Sequence, residues 1–481
     1  MLEDIIRERK KKLEKWSLSH DPYPPRVKRT TSLNEVVKVF SSLEKTKKKV
    51  YVTGRVAGLR DQGNIIFADL KDESGSIQLV LSKKETKYFS DIKESLDSGD
   101  FISVAGPVFK TKKGEKSILA KEASIISKSL RPMPKEWYGL EDIETKLRKR
   151  YLDSALNHEV RGIFLKKSLF WKTVRDFLVG EDFLEVENTV LESVPGGAEA
   201  EPFVTHMNAL DEDFYMRISL ELPLKKMLVG GFEKVFEIGR IFRNEGIDRE
   251  HLQDYTQMEV YWAYADYNDM MALMEKLFKK IVKNIRGSME SKKGDLKINW
   301  SKKWPKVEYF DLFKKYTGLD LEKASVTDLQ KKAKDLKLEF KPADGRGRLI
   351  DLIYKKTVRP NLIQPCFLVN PPVEVEPLAK RVPGNPGRVE RFQIVAAGTE
   401  LGKGFSELND PLDQRKRFEE QAALREKGDK EAQMMNEDFV EALEYGMPPA
   451  AGFGMSERVF AVLMDMPVRE AVYFPLMRRE N

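Results

Sequence analysis

Between Phe242 and Tyr264 the chain reads FRNEGIDREHLQDYTQMEVYWAY, a loop dense in Arg, Glu, Asp and His followed by an alternating run. In a strand, successive side chains point to opposite faces, so Tyr255, Gln257, Glu259 and Tyr261 share one side, and Thr256, Met258, Val260 and Trp262 the other. The second face can pack against a core. The first holds two phenols, an amide and a carboxylate, a floor suited to a polar ligand with a flat ring. A solvated hairpin with a polar outer face is the alternative reading of the same spacing. The preceding run, KVFEIGRIF (Lys234 to Phe242), also has a β composition, and strand parity groups Glu237, Gly239, Ile241 and Arg243.

Two further constellations could do chemistry. ERFQIVAAGTELGKGFSELNDPLDQRKRFEEQ (Glu390 to Gln421) reads as a strand carrying Glu400 and Glu407, leading through Asn409, Asp410 and Pro411 into a helix. GFGMSERVFAVLM (Gly452 to Met464) reads as a Gly-spaced turn entering a helix with Arg458 in its first turns. Glycine lets backbone approach a ligand, an Arg at a helix start can hold phosphate, and carboxylates can hold Mg²⁺ that bridges phosphates. No Walker-type loop, Gly-x-Gly-x-x-Gly fingerprint or kinase signature occurs, so phosphate binding must use another scaffold.

The elements that position these residues belong to a long, charge-rich chain. With 481 residues, 41% hydrophobic and 33% charged, it is expected to fold as two to four globular domains. No run of about 18 apolar residues argues for a membrane span, and the N-terminus lacks a signal-peptide core, so cytosol is the expected compartment. A single cysteine, Cys366, excludes an intrachain disulfide framework, and His20, His158, His206 and His251 show no zinc spacing. The net charge is +7, and RERKKKLEK, RVKR and KTKKK crowd the first 50 residues. Such clusters favour a polyanion such as nucleic acid, although a charge run is more often just a solvated helix face.

Met1 to Trp16 reads as a short basic helix, followed by the extended HDPYPPRVKR. Val50 to about Ile126 alternates between short strands and Gly-containing turns, the pattern of a small OB-like barrel. Phe67 and Gln78 fall on adjacent strands. A ring to stack a base and an amide to read its edge suit single-stranded nucleic acid; a core position for Phe67 is the other reading. Leu130 to Asp142 is hinge-like. From about Lys146 helical spacing resumes and passes into a short strand at Phe183 to Glu187, with further helices at 268–285, 326–336 and 347–359. The expected domains are residues 1–25 (basic helix and connector), 26–129 (barrel), 130–145 (linker) and 146–481, with a helical insertion at roughly 268–360.

FRNEG with the loop and strand after it, and the terminal GFGMSER helix, resemble motifs 2 and 3 of the class II aminoacyl-tRNA synthetases. LRPMPKEWYGLEDIETKLRKRYLD, VPGGAEAEPFVTHMNALDEDFYMRISLELPLKKMLVGGFEKVFEIGRIFRNEG and GFSELNDPLDQ resemble the class II lysyl-tRNA synthetases in order and content, over nearly the whole chain. The resemblance implies an α+β protein: an N-terminal OB-fold β-barrel that binds the anticodon, then a six-stranded antiparallel catalytic sheet flanked by helices, in a homodimer. It implies that L-lysine and ATP form lysyl-adenylate and that the lysyl group passes to the 3′ end of tRNA(Lys), with Mg²⁺ as cofactor. Position by position, it implies that Arg243 neutralises the α-phosphate and the lysine carboxylate, Glu245 accepts from the adenine amino group, and Tyr255 stacks on the ring in place of the usual Phe. His251 and Arg458 would contact the distal phosphates. Glu221 and the backbone at Gly197 would hold the α-amino group, with Glu259, Tyr261, Phe405 and Glu407 around the side chain and its ε-ammonium. Glu400 would bind Mg²⁺. Phe67 and Gln78, with Glu115, would read the anticodon.

Four positions depart from the family pattern. Thr189 replaces the motif 1 proline, Gln393 replaces a metal-binding glutamate, and GFGMSER is one residue shorter than the usual run. The fourth, Lys403, stands where the family usually has Asn. At about 4 Å from a bound ammonium its repulsion would be near 4 kcal/mol at an effective dielectric of about 20, so Lys403 is expected to turn away. Two other classes remain: an aspartyl- or asparaginyl-type synthetase, which needs a cationic or amide pocket, and a non-catalytic RNA-binding paralogue, which predicts loss of Arg243, Glu245 or Arg458.

Overall fold

The computed structural model describes residues 2–134, 142–246, 252–341, 344–426, 428–429 and 431–479. The chain forms two compact units, Met1–Asp142 and Ile143–Asn481.

In the first unit a seven-stranded sheet winds around a core of Val52, Val56, Ile66, Ala68, Leu70, Leu79, Leu81 and Ile118. Its long first strand, Val50–Asp61, serves two partners: the first half pairs with Phe101–Gly106 and the second with Ile65–Lys71. Sharing one strand in this way curls the sheet into the expected barrel. The N-terminal helix Leu2–Ser17 is no free basic arm. Its Trp16 is 2% exposed within the barrel core, and Arg9 donates to the Ser129 and Ser98 carbonyls at 2.7 and 3.1 Å.

The second unit is built on an eight-stranded sheet. Six antiparallel strands form its centre, in the order Cys366–Val369, Arg391–Ala396, Thr399–Ser406, Ala450–Ser456, Asp254–Ala263, Lys234–Phe242. Lys306–Glu308 and Leu184–Glu185 extend the two edges by parallel pairing. Met258 and Val260 face a core shared with the helices His158–Gly180, Tyr267–Arg286 and Arg458–Met464, as the apolar side of their strand requires. On the other face, Tyr261 and Phe405 join Leu222, Leu224 and Leu228 of the helix Glu221–Val229, together with Phe418 and Phe439.

Two sequence readings need correction. Residues 390–407 are not one strand but a hairpin, because Ala397 and Gly398 adopt φ values of 52° and 68° and reverse the chain. Gly452 and Gly454 lie not in a turn but inside the central strand Ala450–Ser456, and the helix starts only at Arg458. The segment expected as a helical insertion also holds the hairpin Glu290–Lys293/Leu296–Asn299 and the edge strand Lys306–Glu308. Part of the expected linker, residues 135–141, lies outside the described residues.

Candidate active site

The sheet register lines up the polar positions. Glu259 pairs with Gly454, Gly454 with Lys403, and Lys403 with Gln393; in the next row Tyr261 pairs with Gly452, Gly452 with Phe405, and Phe405 with Arg391. All eight line a cavity of about 510 Å³, together with Gly197, Glu221, Arg243, Tyr255, Glu400 and Arg458. The glycines keep its floor low. A Cβ on Gly452 would stand 2.3 Å from Glu407 Oε1 and 2.5 Å from Tyr261 Cε1. Gly197, at φ 84°, brings its loop so close to the helix Glu221–Val229 that a Cβ there would stand 2.8 Å from that of Glu221.

One end of the cavity is acidic. Glu259, 3% exposed, accepts from Ser219 Oγ at 2.7 Å, the Leu220 N–H at 2.9 Å and Gln257 Nε2 at 2.5 Å through one oxygen, and from the Tyr261 hydroxyl at 2.9 Å through the other. Burial pushes the Tyr261 hydroxyl well above the usual phenol range, so it stays a donor. Glu407 lies beneath the lining at 1% exposure. The fully buried Lys225 pairs with both Glu221 and Glu407. Sequence reasoning missed this lysine, although its i, i+4 spacing from Glu221 was a usable signal. One ammonium cannot neutralise three neighbouring carboxylates in a desolvated site. Burial, with Glu259 adding to it, therefore pushes the Glu221 carboxyl up to about 7 despite Lys225, and burial together with Glu221 pushes Glu407 well above the ordinary range.

The other end is cationic. The Arg243 guanidinium sits 5.8 Å from the Tyr255 ring centre and donates through Nε to the Ile218 carbonyl at 3.2 Å. Arg243, Tyr255, Glu400 and Arg458 also line an adjoining cavity of about 500 Å³ that Glu245 helps to form. His251 lies outside the described residues.

Between the ends, Gln393 Nε2 donates to Glu400 Oε2 at 2.6 Å. Among the described residues no group of three or more His, Cys, Asp or Glu side chains is placed to hold a metal ion. Lys403, expected to turn its ammonium away from the substrate's, has that ammonium held by a carboxylate. It lines the wall and binds Glu376 at 2.7 Å, while Arg391 approaches the same carboxylate at 3.3 Å. Burial opposes ionisation of Glu376, but Lys403 and Arg391 outweigh it and hold the carboxyl below its ordinary range. Glu376 and Arg391 were also missed, because each meets Lys403 only through the fold.

In the barrel unit, Ile66, Ala68 and Leu70 point inward and leave Phe67 half-buried on the outer face, so the core reading of Phe67 fails. Gln78 is half-buried on the next strand, where Ser117 Oγ donates to its Oε1 at 3.0 Å; Glu115 is exposed two residues before Ser117.

Residues 142–478 match the family of tRNA synthetases class II (D, K and N), and residues 50–126 match the OB-fold nucleic acid binding domain. The chain is 43% identical over 486 residues to the lysine–tRNA ligase of Roseiflexus castenholzii, covering 99% of each chain. It is 43% identical to that of Moorella thermoacetica, over 95% of this chain and 94% of the relative. It is also 42% identical to lysine–tRNA ligase 2 of Methanosarcina mazei, over 96% and 91%. The chain belongs to the class II tRNA synthetases. For this synthetase the family assignment makes Arg243, Glu245 and Arg458 informative by their presence, since a non-catalytic paralogue predicts their loss.

Proposed function

We propose that the protein is a lysine–tRNA ligase, which activates L-lysine with ATP and transfers it to the 3′ end of tRNA(Lys). The observation that carries this reading is the polarity of one cavity: three carboxylates around a single resident ammonium at one end, two arginines at the other. An incoming diammonium substrate offsets the surplus negative charge of Glu221, Glu259 and Glu407, which aspartate or asparagine would not. Full-length relatives named lysine–tRNA ligase support the same assignment.

In this reading the lysine ε-ammonium lies against Glu259, Tyr261 and Glu407, with Phe405 along its stem and Glu221 and the Gly197 backbone at the α-amino group. Arg243 offsets the repulsion between the lysine carboxylate and the α-phosphate, and Tyr255 stacks on adenine beside Glu245. Arg458 and His251 reach the distal phosphates. Such preorganised charge and positioning are the main catalytic resources when no covalent enzyme intermediate forms. Glu400 fits a magnesium ion held mainly by substrate phosphates, which needs only one or two protein carboxylates; that ion would neutralise the leaving pyrophosphate. Phe67, Gln78 and Glu115 form the anticodon-reading face of the barrel. A homodimer working in the cytosol completes the proposal. No helix of the described residues is long and apolar enough to cross a membrane.

ATP–pyrophosphate exchange with a panel of amino acids tests this reading. Lysine alone should support exchange; exchange with aspartate or asparagine, or none at all, would overturn it.

A further inference from the structure

The three carboxylates at the acidic end of the cavity are held in different ways. Glu259 receives four protein donors, so the fold already directs both of its oxygens. Glu407 lacks that support. Among the described residues its oxygens meet no donor other than Lys225, which lies against Oε2. The free Oε1 sits directly under the floor, where a Cβ on Gly452 would stand 2.3 Å away. Glu221 is held in the same manner: its Oε1 accepts from Lys225, and its Oε2 meets no donor among the described residues.

Lys225 is thus the strut between the two carboxylates that serve opposite ends of the substrate. Its side chain is fully buried, and its ammonium lies 5.2 and 5.8 Å from the ring centres of Phe405 and Phe439. Burial opposes its charge, but Glu221 and Glu407 outweigh it and hold the ammonium in its charged form. The other charged or titratable groups around the pair are Glu259 and Tyr261 on the neighbouring strand, and Glu376 and Lys403. None of these forms an ion pair or hydrogen bond with Glu221 or Glu407 among the described residues. Two oxygens that share one ammonium lie about 4.5–5.5 Å apart, a tolerance of about 1 Å. Each methylene lengthens an extended diammonium chain by roughly 1.3 Å. A spacing fixed this closely therefore registers a difference of one methylene.

We propose that Lys225 is a positioning residue that sets the distance between the α-amino and ε-ammonium subsites, and so selects lysine over a diamino acid one methylene shorter. It touches no substrate atom and acts through Glu221 and Glu407. The inference rests on the reading of the protein as a lysine–tRNA ligase.

The test uses the full-length protein. Lysine-dependent ATP–pyrophosphate exchange by the unaltered enzyme is measured first, and its absence would remove the functional reading itself. Given that activity, the unaltered enzyme should prefer lysine to ornithine by at least about tenfold in kcat/KM. Lys225→Met should raise the lysine KM by roughly 10–100-fold, the scale on which loss of a supporting partner weakens a bound cation. It should also bring the lysine-to-ornithine preference within about threefold and leave the ATP KM within about threefold, since Arg243 and Arg458 lie at the other end of the cavity. Removing the cation makes both carboxyls harder to ionise, so the pH at which the lysine KM falls should move up by about 1–3 units. Lys225→Arg keeps a cation between the carboxylates while changing its reach, and covers the case in which the methionine variant does not fold. It should hold the pH midpoint yet alter the lysine-to-ornithine preference at least about threefold. Equal use of ornithine by the unaltered enzyme, an unchanged preference in the variants, or a lower lysine KM in Lys225→Met would each overturn the proposal, the last by showing that Lys225 competes with the substrate.

Discussion

Lysine affinity should rise with pH across neutrality, and the buried cluster sets the size of the effect. Glu221 is pushed up to about 7 by burial and by Glu259, against the pull of Lys225. The substrate ammonium needs this carboxyl ionised. A group with a pKa near 7 is about one-tenth ionised at pH 6 and about nine-tenths at pH 8, and apparent affinity scales with the competent fraction. The lysine KM should therefore fall about tenfold between these pH values, or more steeply if Glu407, also raised, titrates with it. Binding should release protons, which calorimetry in buffers of different ionisation enthalpy detects directly. The linkage has a stability arm of defined sign. The folded chain retains a proton on Glu221 that the unfolded chain gives up near 4.5, so the free enzyme loses stability as pH rises from 4.5 to 7. Saturating lysine should reverse part of that loss, giving a larger thermal shift at pH 8 than at pH 6. A lysine KM flat between pH 6 and 8, with no proton release, would refute the reasoning; Glu221→Gln should flatten the profile by removing the titrating group.

Other perturbations have separate readouts. Gly452→Ala places a methyl group against Glu407 and Tyr261 and should raise the lysine KM while costing about 1–3 kcal/mol of stability, measured by exchange kinetics and denaturant unfolding. Phe67→Ala should leave ATP–pyrophosphate exchange intact but raise the tRNA KM at least several-fold, since one base stack contributes ~1–3 kcal/mol. Arg217→Met leaves Glu237, 2% exposed, without the guanidinium that binds it at 2.6 Å, and should destabilise the catalytic unit by about 3–5 kcal/mol. A normal unfolding midpoint in that variant would count against a structural role for the pair.

The sequence made the periodic elements legible. The helix expected at 268–285 is Tyr267–Arg286, and the strand after the charged loop divides its two faces as its alternation dictates. Glycine defeated the reading where it served packing instead of turning. Gly452 and Gly454 carry no strand preference, so nothing local marks them as part of a central strand whose neighbours are about 190 residues earlier on one side and about 50 earlier on the other. Lys225 and Lys226 look alike in sequence, yet only the former shares the face of Glu221, and Lys226 reaches the exposed Asp438. Glu376 was invisible for a different reason: a short, exposed-looking acidic run gives no sign that one member will meet Lys403 and Arg391 in the cavity wall.

A floor made of backbone has an evolutionary consequence. At Gly452 every substitution adds atoms, and the first atom added already collides with Glu407 and Tyr261. Drift in substrate range therefore has to proceed through the two walls: Glu259 and Tyr261 on one side, Lys403 and Phe405 on the other. Those walls belong to strands from distant parts of the chain that pair with the same glycine strand. Because that strand carries no side chain at Gly452, Tyr261 and Phe405 pack in one apolar cluster across it, so a descendant that alters one wall toward a new amino acid has to fit the change against the other.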